Sequence, residues 1–389
     1  MNINIKPVIH NLCLFMLTLF GLNAQAQFNQ VALEHRLRPD SLSRGFSVDL
    51  YNFNFVRNYE FFNNLQDGYT LYGTQLMPQL VYSPNAHLLL SAGAYFRKDF
   101  GSRGIYEIEP LFSLKYNKDN LTLIFGALEG NVNHRYVDPL FDLERKLVSP
   151  IEYGTQLVIE KKNLFIDTWI SWEKMIYKPS PVQEVISGGI SAERTITDKN
   201  NFKVSLPVQF IATHEGGQID TGNTPPLTTL FNGAVGIKLR KTLSGNGAFR
   251  DVFTDNYLIA YKDFSPIKRR AFESGLGVWL NVGVTTKIGT FVASYLDASG
   301  FISIKGMPLL QSVSQNVNHP GYAEKNRKVF MLRHSMQKEL VKNLFLDLRL
   351  EPHINLNSPG ANRIDFSNSI FLSYKQQFSL QSKKGSLSK

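Results

Sequence analysis

From residue 44 onward the chain repeats one rhythm. Segments of about 9–15 residues alternate apolar and polar side chains, the period-two signature of strands. Along residues 364–379 one face carries Phe366, Ile370, Leu372, Tyr374 and Phe378. The other carries Asp365, Ser367, Ser369, Ser373, Lys375 and Gln377. Leu344, Leu346, Leu348 and Leu350 alternate with Phe345, Asp347, Arg349 and Glu351, and Leu276, Val278, Leu280, Val282 and Val284 with Gly275, Gly277, Trp279, Asn281, Gly283 and Thr285.

A soluble sandwich also alternates, so the connections decide between the two. Tight turns such as Asn117-Lys118-Asp119-Asn120, Asp198-Lys199-Asn200-Asn201 and Val341-Lys342-Asn343 take turns with long segments near 130–149, 214–228 and 297–327. Short periplasmic turns and long external loops are the grammar of an outer-membrane barrel, and Greek-key sandwiches do not predict it. The expected fold is all-β: a closed antiparallel transmembrane β-barrel of about 16 strands, within a range of 14–18. The eleventh strand is expected over 256–263, after a connection 241–255 that is long for a periplasmic turn, and 300–305 is placed inside a loop.

The N-terminus fits export. Lys6 precedes the apolar run Leu12 to Leu22, followed by Asn23-Ala24-Gln25-Ala26. Charged, apolar and small-residue regions in that order predict a signal peptide over 1–26, cleaved after Ala26. Residues 27–43 then form a periplasmic lead-in, 44–379 the barrel and 380–389 a polar tail. The single cysteine, Cys13, lies in the signal, so the mature chain has no disulfide and no thiolate chemistry. Its 41 Lys and Arg exceed 32 Asp and Glu, a net charge of about +9 that is dispersed along the chain and does not suggest nucleic acid. After residue 26 no run of 18 apolar residues exists for a spanning helix.

Regular charges on a strand face are cheap beside water and costly in a dry core. They favour a wet lumen lined by Glu107, Glu109, Lys115, Asp167, Lys203, Lys238, Arg240, Asp347, Arg349 and Glu351. Outward aromatics near strand ends, Tyr82, Tyr116, Trp172, Tyr374 and Phe378, suit interfacial girdles.

In this pattern, and in its final strand bearing Phe366, Ile370, Leu372, Tyr374 and Phe378, the chain resembles porin-like Gram-negative outer-membrane β-barrel proteins. The resemblance covers nearly the whole mature chain. It implies an outer-membrane location, contact with membrane lipid and lipopolysaccharide, and passage of a small solute through the lumen. By likeness to the third external loop of general porins, 130–149 would fold inward as a constriction carrying Arg135, Asp138, Asp142, Glu144, Arg145 and Lys146.

Catalytic signatures are weak. His214-Glu215-Gly216-Gly217-Gln218 lacks the second histidine of a zinc helix. His334 and Ser335 are neighbours, which on a strand point to opposite faces. His214 with Asp220 suits a rim protease only in outline. No cofactor or metal site is expected. The first functional reading is a porin-like channel. A structural or partner-binding barrel of a larger assembly, or a homo-oligomer, is the alternative, and an outer-membrane hydrolase the third.

Overall fold

The computed structural model describes residues 33–37, 45–217, 219, 226–245, 247–357 and 364–380. The expected signal peptide, the tail beyond Leu380 and Asp220 lie outside them. The barrel comprises β1 (Gly45–Glu60), β2 (Thr70–Ser83), β3 (Leu88–Asp99), β4 (Glu107–Lys118), β5 (Leu121–Ala127), β6 (Tyr153–Lys161), β7 (Leu164–Lys174) and β8 (Val185–Lys199). It continues with β9 (Phe202–Glu215), β10 (Thr228–Thr242), β11 (Phe249–Asp263), β12 (Ser274–Thr286), β13 (Gly289–Ser299), β14 (Asn326–Val341), β15 (Leu344–Asn355) and β16 (Ile364–Ser379). Each strand pairs antiparallel with its chain neighbours, and β1 closes on β16 from Ser47↔Ser379 to Glu60↔Phe366. Closure leaves no open sheet edge for lipid to face.

The tight turns use residues that tolerate left-handed backbone. Asn200 and Asn201 link β8 to β9 at φ 51 and 59, and Asn343 and Gly289 serve β14–β15 and β12–β13 at φ 68 and 126. Paired positive φ matches the right-handed strand twist in two-residue hairpins.

The two faces of the wall differ as a membrane requires. On β1, Asp49, Tyr51, Phe53, Phe55, Arg57 and Tyr59 point inward and are buried. The outer wall exposes Tyr72, Leu76, Leu80, Tyr82, Phe112, Phe125, Ile170, Trp172, Leu258, Leu276 and Ile370. An apolar belt facing outward, with charged groups such as Asp49 and Arg57 set among aromatics inside, is the inverse of a soluble sandwich. The chain is a closed antiparallel barrel of 16 strands with the apolar outer wall of an integral membrane protein.

One local expectation changes. Strand β11 begins at Phe249, which leaves a shorter turn than the 241–255 connection implied. Inward Phe253 and outward Thr254 and Asn256 blur the alternation there. Those two outward side chains bond to β12: Thr254 Oγ1 donates to the Asn281 carbonyl at 2.6 Å, and Asn256 Oδ1 accepts from the Asn281 amide at 2.9 Å. Residues 300–305 lie in a loop, as expected, and that loop packs inside the barrel.

The largest difference concerns the lumen. Two apolar clusters fill much of it. One joins Val137, Leu140 and Phe141 to Trp169, Tyr257, Trp279, Phe301, Leu309 and Met331. The other joins Leu33, Leu143 and Leu147 to Tyr51, Phe53, Met77, Tyr95 and Phe371. Loop side chains bury the inner wall, so the lumen is mostly packed where the charge pattern had suggested water.

Candidate functional site

The segment 128–152, between β5 and β6, crosses the lumen. Its base is pinched by the Leu128 amide on the Glu152 carbonyl at 2.8 Å and the Asn131 amide on Glu152 Oε2 at 2.9 Å. Gly130 makes this fit possible, because a Cβ there would lie 1.9 Å from Glu152 Oε2. On one side, Gln75 Nε2 of β2 donates to the Lys146 and Leu147 carbonyls at 3.0 Å, and Arg97 Nη1 of β3 donates to the Val148 carbonyl at 3.0 Å. On the other, Gln209 of β9 accepts from the Val137 amide at 3.0 Å and donates to the Arg135 carbonyl at 2.9 Å. The segment is thus suspended between well-separated strands of the wall.

His134 anchors it. The ring is fully buried, with Nδ1 2.8 Å from Asp167 Oδ2 and Nε2 3.1 Å from Glu152 Oε2. It stacks on Trp169 at 4.6 Å, and Trp169 Nε1 donates to Tyr136 Oη at 3.1 Å. Burial pulls the imidazole pKa down, but the Asp167 and Glu152 carboxylates outweigh it and carry it up to about 9. Burial pushes Glu152 up, and His134 and Lys305 overcome it, bringing the carboxyl down to about 2.

Further along, Asp138 meets the wall. Its Oδ2 accepts from Arg333 Nη2 at 2.6 Å, and Arg333 Nε donates to Glu351 Oε1 at 2.6 Å. Glu351 is also 2.8 Å from Arg349 and 3.4 Å from Arg57, and is fully buried among these guanidinium groups. Arg57 Nε donates in turn to Tyr59 Oη at 2.5 Å.

Two further segments lock onto this one. In 300–325, the Lys305 carbonyl accepts from the Asp142 amide at 2.7 Å, and the Met307 amide donates to the Asp138 carbonyl at 3.0 Å. Lys305 Nζ pairs with Glu173 and lies 4.0 Å from Glu152. From 61–69, Tyr69 Oη donates to Glu144 at 2.6 Å and Gln66 Oε1 accepts from the Leu309 amide at 3.2 Å. At the end of the barrel that carries the tight turns, the N-terminal segment Leu33–Leu37 enters the lumen. His35 stacks on Tyr51 at 4.5 Å and bonds Asp49 at 2.8 Å, and the Leu37 carbonyl accepts from Lys115 at 2.8 Å.

All ten wall candidates lie on the inward parity of their strands. Most are held in pairs. Lys115 lies 2.5 Å from Glu129, Lys238 2.8 Å from Glu193, and Arg240 3.8 Å from Asp251. Lys203 sits half-buried on β9. Glu109 accepts from Tyr153 Oη at 3.2 Å, beside Glu107, and Asp347 accepts from Gln337 at 3.0 Å. The loop candidates scatter over different contacts. Arg135 pairs with Glu160 at 2.8 Å, Arg145 lies over Phe141, and Lys146 lies over Tyr51 and Phe53. Burial, with Glu144 beside it, pushes Asp142 up to about 7 against the pull of Arg57.

His134, Glu152, Arg57 and Arg333 belong to no sequence motif. Parity along β1 and β14 marks both arginines as inward; nothing in the loop sequence marks His134. Cavities remain on both sides of the suspended segment. One of about 50 Å3 is lined by Tyr136, Asp138, Asp142, Tyr257, Trp279 and Arg333. Another, of about 90 Å3, lies between the segment and the lead-in.

The family model described as lipid A 3'-O-deacylase-type matches residues 37–383. The chain belongs to that family. Among curated proteins no sequence matches it. This lipid A 3'-O-deacylase-type member is similar to solved structures of outer-membrane proteins. Pseudomonas aeruginosa OprD is 12% identical with a TM-score of 0.47, covering 87% of this chain and 97% of its own. Acinetobacter baumannii OccAB1 is 9% identical with a TM-score of 0.48, covering 88% and 100%.

Proposed function

We propose that this barrel is a constricted passage for small solutes, held closed in the conformation described here. The observation that carries this reading is segment 128–152, hung across a charged inner wall by hydrogen bonds to β2, β3 and β9. A polar wall through an apolar-coated barrel serves water and solutes, and loops folded inward set its width. In liposomes loaded with an osmolyte, the full chain should admit small solutes slowly and exclude large ones. Vesicles carrying folded barrel that swell no faster than empty ones would count against the passage.

A second reading follows from the family description, hydrolysis of an acyl ester on lipid A. A base with a free nitrogen is needed. His134 offers none here, since both ring nitrogens face carboxylates. His214 does better. It faces outward near the external end of β9, with Nδ1 2.9 Å from Thr229 Oγ1. An imidazole and a hydroxyl on the lipid-facing wall suit an ester in the outer leaflet. Fatty-acid release from lipid A, lost in Thr229→Val and His214→Gln, would support this reading, and no release by folded protein would remove it.

A further inference from the structure

The larger cavity has an unusual composition. Met77, Leu89, Leu111, Ile124 and Ile151 give it an apolar lining, and Lys146 joins them. Lys146 is 8% exposed. Its Nζ lies 4.9 Å from the Tyr51 ring centroid and 5.6 Å from that of Phe53, with no hydrogen-bond acceptor or carboxylate partner among the described residues. The other charged groups at the cavity are engaged: Lys115 with Glu129 and His35 with Asp49. A buried ammonium held by rings beside an open cavity, with Glu34 acting on it only at longer range, has no directly bonded counter-charge among the described residues.

We propose that this cavity binds a small aliphatic carboxylate, with Lys146 as its counter-charge and the apolar side chains around its tail. The volume of about 90 Å3 admits only a few heavy atoms, since one water needs roughly 10–15 Å3 of such space. A phosphate would bring more charge and more acceptors than one cation in an apolar wall can satisfy. Ligand binding also changes protonation. Burial and nearby Lys375 bring empty Lys146 down to about 7, with Glu34 opposing. Around it stand Glu34 and His35 of the lead-in, Asp49 and Tyr51 of β1, Lys115 of β4, Glu129 of the loop, Asp347 of β15 and Lys375 of β16. An arriving carboxylate restores the ammonium, so binding takes up a proton near neutral pH and weakens as the pH rises above that range.

The inference rests on the passage reading only for how the anion reaches the cavity. The test is calorimetric titration of the full chain in detergent micelles with butyrate, in two buffers of different protonation enthalpy. Saturable binding with net proton uptake is expected. Lys146→Met should weaken it at least about tenfold, the effect of one lost charge-assisted hydrogen bond. Leu111→Trp, which fills the cavity and keeps the amine, should abolish it, and decides the matter if Lys146→Met does not fold. Equal binding of butanol, equal competition by inorganic phosphate, or unchanged binding in folded variants would overturn the proposal. Micelle binding needs no flux, so a silent barrel that binds butyrate keeps this site, while a conducting barrel that does not bind loses it alone.

Discussion

His134 Nδ1 and Asp167 Oδ2 lie 2.8 Å apart inside the barrel, one on a segment that crosses the lumen and the other on the wall. The contact ties a loop to a strand where neither group meets water. Removing one partner of a buried ion pair costs about 3–5 kcal/mol, because the other is left uncompensated. Asp167→Asn should therefore loosen segment 128–152 while the wall stays closed. Limited proteolysis within 131–149 should become faster, with an unchanged gel shift between unboiled and boiled samples.

The same contact makes the loop sensitive to alkali. The His134 pKa is raised in the folded chain to about 9. Its contribution to stability is therefore complete below the unfolded value of about 6.5 and is lost as the pH climbs through the folded value. Glu152 is lowered to about 2, so its contribution is present above an unfolded value of about 4.3 and lost as the pH falls through the folded one. Hydrogen exchange of the loop amides should be slowest between these limits, after correction for intrinsic rates. A minimum that does not move in His134→Gln would contradict this assignment.

Much of the architecture is readable from the chain, for a physical reason. Lipid outside and polar groups inside force a two-residue period, so Leu344 to Leu350 and Asp347 to Glu351 reveal their faces without any contact being known. The filling of the lumen is less readable. Asp138 and Arg333 are 195 residues apart in sequence, and their 2.6 Å contact depends on how a loop folds, which no strand period records. Tyr51, Phe53 and Phe371 on the inner face foreshadow that filling. Large apolar side chains facing a lumen need something apolar to cover them, and Leu33, Leu143 and Leu147 supply it.

Gly130 offers a sharper test of loop geometry. A methyl group there meets Glu152 Oε2 at 1.9 Å, so Gly130→Ala must displace the carboxylate from His134 and Asn131. A cost of about 1–3 kcal/mol is expected, typical of a disrupted buried contact. It should appear as a lower urea midpoint, and Ala at the open Gly247, where nothing lies within 4 Å of a Cβ, should not share it.

Glu351 holds Arg57, Arg333 and Arg349 together. Glu351→Leu leaves these cations without their common carboxylate. A loss of about 3–5 kcal/mol is expected. Adding Arg349→Leu should recover part of it, because one unpaired cation is then removed. Strict additivity of the two changes would refute the cluster as a unit.

The central claim is that a passage exists and that segment 128–152 narrows it. The most direct measurement is single-channel conductance in a planar bilayer for the full chain and for a variant with residues 131–149 replaced by a short Gly-Ser linker. The full chain should show small, infrequent steps and the variant large, steady ones. Silence from both proteins, each shown to be folded by its gel shift, would contradict the account.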